Sequence, residues 1–245
     1  MNEDMKKSIV TLLCAICAMS AFAVDMPKQG FGLQIGWAQP ILRLNSPDKS
    51  YPKDSLVNTI HLNGFKVGLV YDASYIAGFG STIGINYTFG GGHTDWTKKN
   101  TSYSVKTQTL FNEVELFVDW QYKFEVAKET YLMLYTGPSL QCGISLDVNN
   151  YLRNDLTDEV EANRYSAYTT DVENEHLTRL NITWGIGAGF QYKRYFLRGG
   201  YDFGLINPYA NKEFVDPLGQ SYDRYTRGRL DQWSIKIGMY IWYEE

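Results

Sequence analysis

The chain has 245 residues, of which 15% are aromatic and 22 are glycine, a mixture that favours strands and turns over helices. The formal net charge of −4 gives no sign of a basic surface for nucleic acid. No apolar run in the sequence reaches about 18 residues, which excludes an ordinary transmembrane helix.

The first residues have the pattern of a secretory signal peptide. Two lysines precede an apolar run over residues 9–19, and Ala21 and Ala23 are the small residues that a signal peptidase reads. We expect residues 1–23 to be cleaved and residues 24–245 to form one barrel domain. A buried N-terminal helix is the alternative, but no amphipathic pattern follows the apolar run.

Cysteine use agrees with export but not with disulfide bonds. Cys14 and Cys17 lie inside the expected signal, and Cys142 alone remains in the mature chain, so neither a disulfide nor a cysteine metal cluster can form. Lipid attachment at Cys17 is an alternative, but Cys14 stands where such signals have leucine. Translation starts at Met1 or at Met5. Met5 is a candidate because it opens the sequence Met-Lys-Lys, which is a usual beginning of a signal peptide.

Eight segments of the mature chain alternate bulky apolar side chains with small or polar ones, and a period of two is that of a β-strand. Between residues 180 and 192, for example, Gly185, Gly187 and Gly189 occupy every second position, with apolar residues between them. The eight predicted strands lie, in chain order, near residues 31–38, 64–71, 78–89, 110–123, 132–145, 180–192, 195–205 and 233–243.

The connections between these strands alternate in length. Lys193-Arg194 is a two-residue hairpin turn, and two further short connections follow residues 71 and 124. An even number of strands, with short turns at one end and long loops at the other, is the pattern of an outer-membrane barrel. We therefore predict an all-β fold, an eight-stranded antiparallel up-and-down transmembrane β-barrel with short periplasmic turns and long extracellular loops. The predicted long loops cover residues 43–59, 91–106, 148–177 and 207–227.

Aromatic residues near the strand ends favour the same orientation, because such girdles lie at the two membrane interfaces. A soluble barrel of the lipocalin type is the alternative, but it would turn the glycine-rich face to water, where glycine weakens a strand. In lipid the bulky face contacts acyl chains, so we predict location in the cell outer membrane. The predicted girdles are Phe31, Tyr71, Phe79, Tyr122, Tyr192, Tyr195 and Tyr243 at the turn end, and Trp37, Phe65, Tyr87, Phe89 and Trp233 at the loop end.

Three stretches of the sequence carry a resemblance to a known family. An apolar strand over residues 110–124 leads to a strand with Gly137-Pro138, and a late strand rich in Arg and Tyr ends in Gly204-Leu205-Ile206-Asn207. With these motifs the chain resembles the PorT-like outer-membrane β-barrel proteins of the Bacteroidetes. The resemblance implies a barrel in the outer membrane and allows a role in protein secretion, in which the founding member is implicated.

The interior of an eight-stranded barrel is just wide enough for side chains to fill. Four acidic and five basic residues fall on the predicted inward positions. Such near-balanced charge favours paired ions, because an unpaired charge in a low-dielectric interior is costly. We predict a polar core that plugs the barrel, with a proton relay or gated conduit as the alternative. The predicted network consists of Lys66, Glu113, Glu115, Asp119, Lys123, Arg179, Arg198, Asp202 and Lys236.

The sequence offers little for catalysis. His61, His93 and His176 are far apart at strand ends or in loops, where a histidine is more often solvated than catalytic. Modification of lipid A is the enzymatic alternative, because some small barrels use histidines near the interface for it. The glycines form no dinucleotide fingerprint, since Phe190 stands where the third glycine belongs. We expect no enzyme activity, no cofactor and no metal.

The longest predicted loop is strongly acidic. Residues 151–176 carry seven acidic and two basic side chains, a charge that would attract divalent cations or a basic partner, although charged loops are often simply soluble. We predict a small barrel whose loops make contacts or support the envelope, with an accessory of a secretion machine as the alternative. The expected partners of this monomeric barrel are outer-membrane lipid and a secretion or surface protein. The predicted contact residues are Tyr151, Tyr165 and Tyr168.

Overall fold

The computed structural model describes residues 29–45, 59–76, 78–93, 96–98, 103–166, 168, 177–208, 214–215, 221–222 and 227–244. The expected signal, residues 1–23, lies outside this described part. No helix within it is long and apolar enough to cross a membrane. The strands of the described residues are β1 (Gln29–Asn45), β2 (Thr59–His61), β3 (Asn63–Ile76), β4 (Phe79–His93), β5 (Thr97–Lys98), β6 (Tyr103–Ala127), β7 (Thr130–Asn154), β8 (Val160–Ser166), β9 (Leu180–Tyr192), β10 (Tyr195–Gly204), β11 (Phe214–Val215), β12 (Ser221–Tyr222) and β13 (Arg227–Glu244).

Eight long strands form a closed antiparallel barrel. Each pairs with the next in the order β1, β3, β4, β6, β7, β9, β10 and β13, and β13 pairs back with β1. The ring therefore has no open edge, and the ladder can bond the backbone polar groups internally, as a span through hydrocarbon requires. The predicted eight-stranded up-and-down barrel is confirmed.

Two-residue turns join the strands at one end of the barrel. They connect β3 to β4, β6 to β7 and β9 to β10. Gly78, Glu129 and Lys193 have positive φ angles of 85°, 58° and 53°, as tight hairpin turns require. Tyr192 pairs with Tyr195 across the last turn, and both are exposed, so the predicted register of this hairpin is correct.

The two faces of the barrel wall have opposite character. Apolar side chains point outward along every long strand, and Ile237 on β13 has 55% of its surface exposed. The interior is polar, and Lys66 on β3 is only 1% exposed. A water-soluble barrel has the reverse arrangement, since it buries its apolar face.

Exposed aromatic rings line the outer wall near both ends. At the loop end, Trp37 pairs with Phe65, which pairs with Phe89 on the next strand. At the turn end, the prediction for Tyr243 was wrong. A bulge leaves Ile241 unpaired and reverses the alternation, so Trp242 is exposed there while Tyr243 stacks on the buried Tyr240 ring at 5.7 Å.

The loop end is more ordered than the sequence predicts. Residues 103–109 of β6, residues 148–154 of β7 and all of β8 continue the barrel wall as a sheet, and the two residues of β5 pair with β6 at its edge. We call these four segments the extracellular sheet. Parts of two predicted loops, residues 91–106 and 148–177, are therefore strand. Polar strands with few apolar residues give a weak periodic signal, which is why these extensions read as loops.

Pro138 lies inside β7, where it has no backbone N–H to donate to a neighbouring strand. The register with β6 is unchanged across it, but partner pairing stops after Phe117↔Ser139 and resumes at Trp120↔Thr136. On the other side Pro138 still pairs with Trp184 of β9. The missing N–H of proline is thus accommodated by a short interruption of one ladder, without a bulge.

Candidate functional site

The alternating glycines of β9 make room for large side chains inside the barrel. A Cβ at Gly187 would meet the ring and hydroxyl of Tyr135, and one at Gly189 would meet Met133 and Arg198. At Gly185 it would meet the carboxylate of Asp202. The stripe of glycines is therefore the inner wall against which the polar core packs.

Replacing Gly187 with valine is expected to destabilise the barrel by about 1–3 kcal/mol, because the new side chain overlaps the Tyr135 ring in a filled interior. Urea titration of the refolded protein in lipid vesicles measures the change. Gly199 on the neighbouring strand is the matched control, since the nearest atom to a Cβ there is 3.9 Å away. Gly199→Val is expected to change stability by no more than about 0.5 kcal/mol. Equal losses in both variants would contradict the assigned faces.

One ion pair lies at the centre of the interior. Lys66 on β3 pairs with Glu115 on β6 and donates a second hydrogen bond to Gln232 on β13 at 2.6 Å. Gln232 in turn donates to Glu113 at 3.4 Å. Because these side chains come from three strands, the cluster links opposite walls of the barrel and satisfies the buried charge of Lys66.

A second cluster lies toward the turn end. Asp72 accepts hydrogen bonds from Lys123 at 3.0 Å, from Gln121 at 2.9 Å and from the Tyr240 hydroxyl at 2.7 Å. All four side chains are buried. The Asp72 carboxylate is therefore compensated by one cation and two neutral donors, which is the arrangement that a buried charge needs.

A third cluster connects β6, β7 and β10. The Arg198 guanidinium donates to Asp119 at 2.7 Å and lies 4.1 Å from the centre of the Tyr135 ring. Lys236 lies over the Phe117 ring at 5.0 Å. A cavity between these groups has room for about one water molecule. Its polar lining includes Glu115, Asp119, Asp202 and Lys236.

The interior set differs from the predicted one at two residues. Arg179 directly precedes β9, and its backbone carbonyl accepts a hydrogen bond from the Gly143 N–H of β7 at 2.7 Å. Its side chain is exposed, covers the Tyr168 ring at 5.2 Å and donates to the Ile144 carbonyl at 3.0 Å. Asp72 belongs to the interior but was missed, because the predicted strand ended at Tyr71. The described interior thus combines five acidic residues with four basic ones, namely Asp72, Glu113, Glu115, Asp119 and Asp202 with Lys66, Lys123, Arg198 and Lys236.

The predicted contact tyrosines lie on or beside the extracellular sheet. Tyr151 is on β7 and is half-buried, with its hydroxyl 3.5 Å from Gln108. Tyr165 is on β8, opposite Val148. Tyr168 is also half-buried, beneath Arg179. Tyr151 and Tyr165 therefore lie on strands inside the predicted loop, whereas Tyr168 follows β8.

Polar contacts fix the extracellular sheet. Arg153 donates to Asp155 at 3.2 Å and covers the Trp96 ring at 5.1 Å, while Ser104 donates to Asp155 at 2.8 Å. Thr107 bonds Asn150 across β6 and β7 at 2.9 Å. The sheet therefore continues the barrel as an ordered element, and part of the predicted acidic charge is neutralised within it.

The described histidines are not brought together. His61 on β2 and His93 at the end of β4 are exposed, and His176 lies outside the described part. No group of three or more His, Cys, Asp or Glu side chains in that part is arranged to hold a metal ion. Cys142 is exposed on the outer face of β7.

Residues 52–209 match the family of outer membrane protein beta-barrel domains. No curated protein matches the sequence. Together with the apolar outer wall and the polar interior, the family match places the protein in the outer membrane.

Solved structures of similar architecture include three bacterial barrels. Ail of Yersinia pestis is 11% identical with a TM-score of 0.35, covering 87% of this chain and 99% of its own. Neisserial surface protein A is 12% identical with a TM-score of 0.37, covering 86% and 97%. The N-terminal barrel domain of Pseudomonas aeruginosa OprF is 10% identical with a TM-score of 0.26, covering 86% and 99%.

Proposed function

Because this chain belongs to the family of outer membrane protein beta-barrel domains, we propose that it is a non-enzymatic surface protein whose plugged barrel carries a contact sheet outside the cell. One observation carries this proposal. Strands β6 and β7 are 25 residues long, whereas about 9–11 residues cross the hydrocarbon region. The extra length projects an ordered sheet above the membrane, where binding surfaces on rigid elements are well positioned.

Exposed apolar side chains at the tip of the extracellular sheet support a contact role. Leu156, in the turn between β7 and β8, has 78% of its surface exposed, and Leu152 and Val160 beside it are exposed as well. Because water surrounds this segment, the exposed apolar side chains contribute nothing to the stability of the fold. Burial against another protein would remove this apolar area from water.

The contact role is tested by photocrosslinking in intact cells. A photoreactive phenylalanine analogue replaces Leu156 or Val160 in the sheet and, as the control, Glu129 in the turn between β6 and β7. We expect a discrete crosslinked protein band from the two sheet positions and none from the turn position. Crosslinks to lipid alone at all three positions would refute the proposed contact role.

The interior supports a plugged lumen. Three buried ion pairs, in the clusters around Lys66, Asp72 and Arg198, occupy the lumen, and the cavity lined by Glu115, Asp119, Asp202 and Lys236 has room for about one water molecule. We expect no stable conductance steps from the purified protein in planar lipid bilayers. A large, steady conductance would contradict the plug and favour a conduit.

Several finer features belong to the same proposal. Gly137-Pro138 and Gly204-Leu205-Ile206-Asn207 support membership of the PorT-like group of the Bacteroidetes. We include a cleaved signal at residues 1–23, a monomeric barrel, and a secretion or surface protein as the partner of the sheet.

Deletion of the gene tests whether the protein modifies lipid A. For a protein without lipid-modifying activity, we expect the mass of lipid A to be the same with and without the gene. Altered lipid A would favour an enzyme.

A further inference from the structure

The outer wall carries two arginines directly opposite each other near the loop end. Arg43 on β1 pairs in register with Arg229 on β13, and both follow the alternation of the outward-facing Trp233. Like charges directly opposite on neighbouring strands destabilise a sheet. A structure that retains such a pair on its outer face therefore needs a compensating group.

Asp231 is that group. Its carboxylate accepts hydrogen bonds from Arg43 at 3.0 Å, from Arg229 at 2.8 Å and from the Tyr201 hydroxyl at 2.7 Å. It also accepts one from the Gly204 backbone at 3.0 Å, and its own side chain is fully buried. Asp231 is thus saturated with donors and holds the two guanidinium groups side by side.

The guanidinium groups themselves remain available. The side chains of Arg43 and Arg229 are 49% and 47% exposed. Each guanidinium has five N–H donors. Arg43 uses one on Asp231 and one on the Tyr201 hydroxyl at 3.4 Å, and Arg229 uses two on Asp231, at 2.8 Å and 3.0 Å, which leaves about three donors per arginine. One carboxylate against two arginines gives the cluster a net charge of +1. Asp202, the other acidic residue in the described upper parts of β1, β2, β10 and β13, lines the interior cavity instead.

The height of the cluster indicates what it faces. Trp233 is exposed beside Tyr201, whose ring centre is 4.6 Å away, and belongs to the loop-end aromatic row. Arg229 lies four residues farther along β13, which is about 9 Å higher at a rise of about 3.3 Å per residue and a tilt of about 45°. The headgroup layer begins at the aromatic row and is about 5–8 Å thick. Long arginine side chains at this height reach back into that layer.

We propose that Arg43 and Arg229, held by Asp231, bind a phosphate group on the headgroup of an outer-leaflet lipid such as lipid A. Two planar guanidiniums on a fixed base suit a phosphate, because each can donate parallel hydrogen bonds to its oxygens. In this binding mode the arginines hold the headgroup, and the acyl chains lie along the apolar wall below Trp233. The site is independent of the contact role proposed for the extracellular sheet.

The test is native mass spectrometry of the detergent-released full-length protein, after incubation with either lipid A carrying both phosphates or the same lipid dephosphorylated. We expect the native protein to retain the phosphorylated lipid at least about tenfold better. The Arg43→Gln/Arg229→Gln variant should lose this preference, whereas Lys193→Gln at the opposite end should keep it. Arg43→Lys/Arg229→Lys should retain an intermediate amount, since ammonium groups bind phosphate without the bidentate geometry.

Equal retention of the two lipids by the native protein would overturn the site, and this comparison needs no variant to fold. Retention that persists in the glutamine variant would also overturn it, provided that the variant shows the gel shift of a folded barrel. Inorganic phosphate is added as a competitor. Displacement of the lipid by millimolar phosphate would assign the site to free anions and reject the lipid headgroup.

Discussion

Replacing Lys66 with methionine is expected to lower the free energy of unfolding by about 3–5 kcal/mol, because the change leaves Glu115 charged and unpaired in the interior. Both side chains are almost completely buried, so water cannot compensate the loss. Urea titration of the refolded protein in lipid vesicles, followed by tryptophan fluorescence, measures the effect.

Two companion variants separate this effect from general damage. Lys66→Met combined with Glu115→Leu should recover most of the lost stability, because replacing a whole buried pair by apolar residues is often nearly neutral. Lys193→Met removes a half-exposed pair with Glu129 at 3.7 Å, which joins two neighbouring turns, and should cost less than about 1 kcal/mol. If the single Lys66 variant is as stable as the native protein, the interior ion pair does not hold the barrel together.

Replacing Ile237 with arginine is expected to lower the free energy of unfolding by about 2–4 kcal/mol, the cost of a charge facing lipid near the bilayer midplane. Ile237 lies on the outer face of β13, midway between Trp233 and Trp242. The same equilibrium titration in vesicles measures the change. In a soluble barrel the substitution would place a charge in water and would be close to neutral.

Leu156→Arg is the matched control for this variant. Leu156 is exposed outside the barrel wall, at the tip of the extracellular sheet, so arginine there should change stability by no more than about 0.5 kcal/mol. Equal effects at Ile237 and Leu156 would mean that both face the same solvent, which contradicts the lipid-facing wall.

The alternation of side chains was enough to predict the strand number, the faces and the three short turns. These features follow from local backbone geometry, since a strand places successive side chains on opposite faces whatever its neighbours are. Gly187 and Ile237 could therefore be assigned to the inner and outer faces from the sequence. The extracellular sheet could not, because its polar strands have no apolar face to reveal them.

Contacts between distant strands could not be predicted from the alternation of side chains. The bulge at Ile241 reverses the alternation, so Trp242 takes the exposed place predicted for Tyr243. Asp231 has the outward phase of Trp233 and is nevertheless buried, because Arg229 on the same strand, Arg43 on β1 and Tyr201 on β10 cover it. Only strand pairing brings Arg43 and Tyr201 to Asp231, and the periodicity of the sequence does not predict these two contacts.

The most direct test of the central claim, that the apolar face of the barrel contacts lipid, is labelling of the native protein by a carbene precursor dissolved in the bilayer. After illumination, mass spectrometry of peptides from β13 locates the modified side chains. The account predicts modification of Ile235, Ile237 and Met239, with Ser234 and Lys236 unmodified. Labelling of Ser234 and Lys236, or no labelling above that of a soluble protein enclosed in the same vesicles, would contradict it.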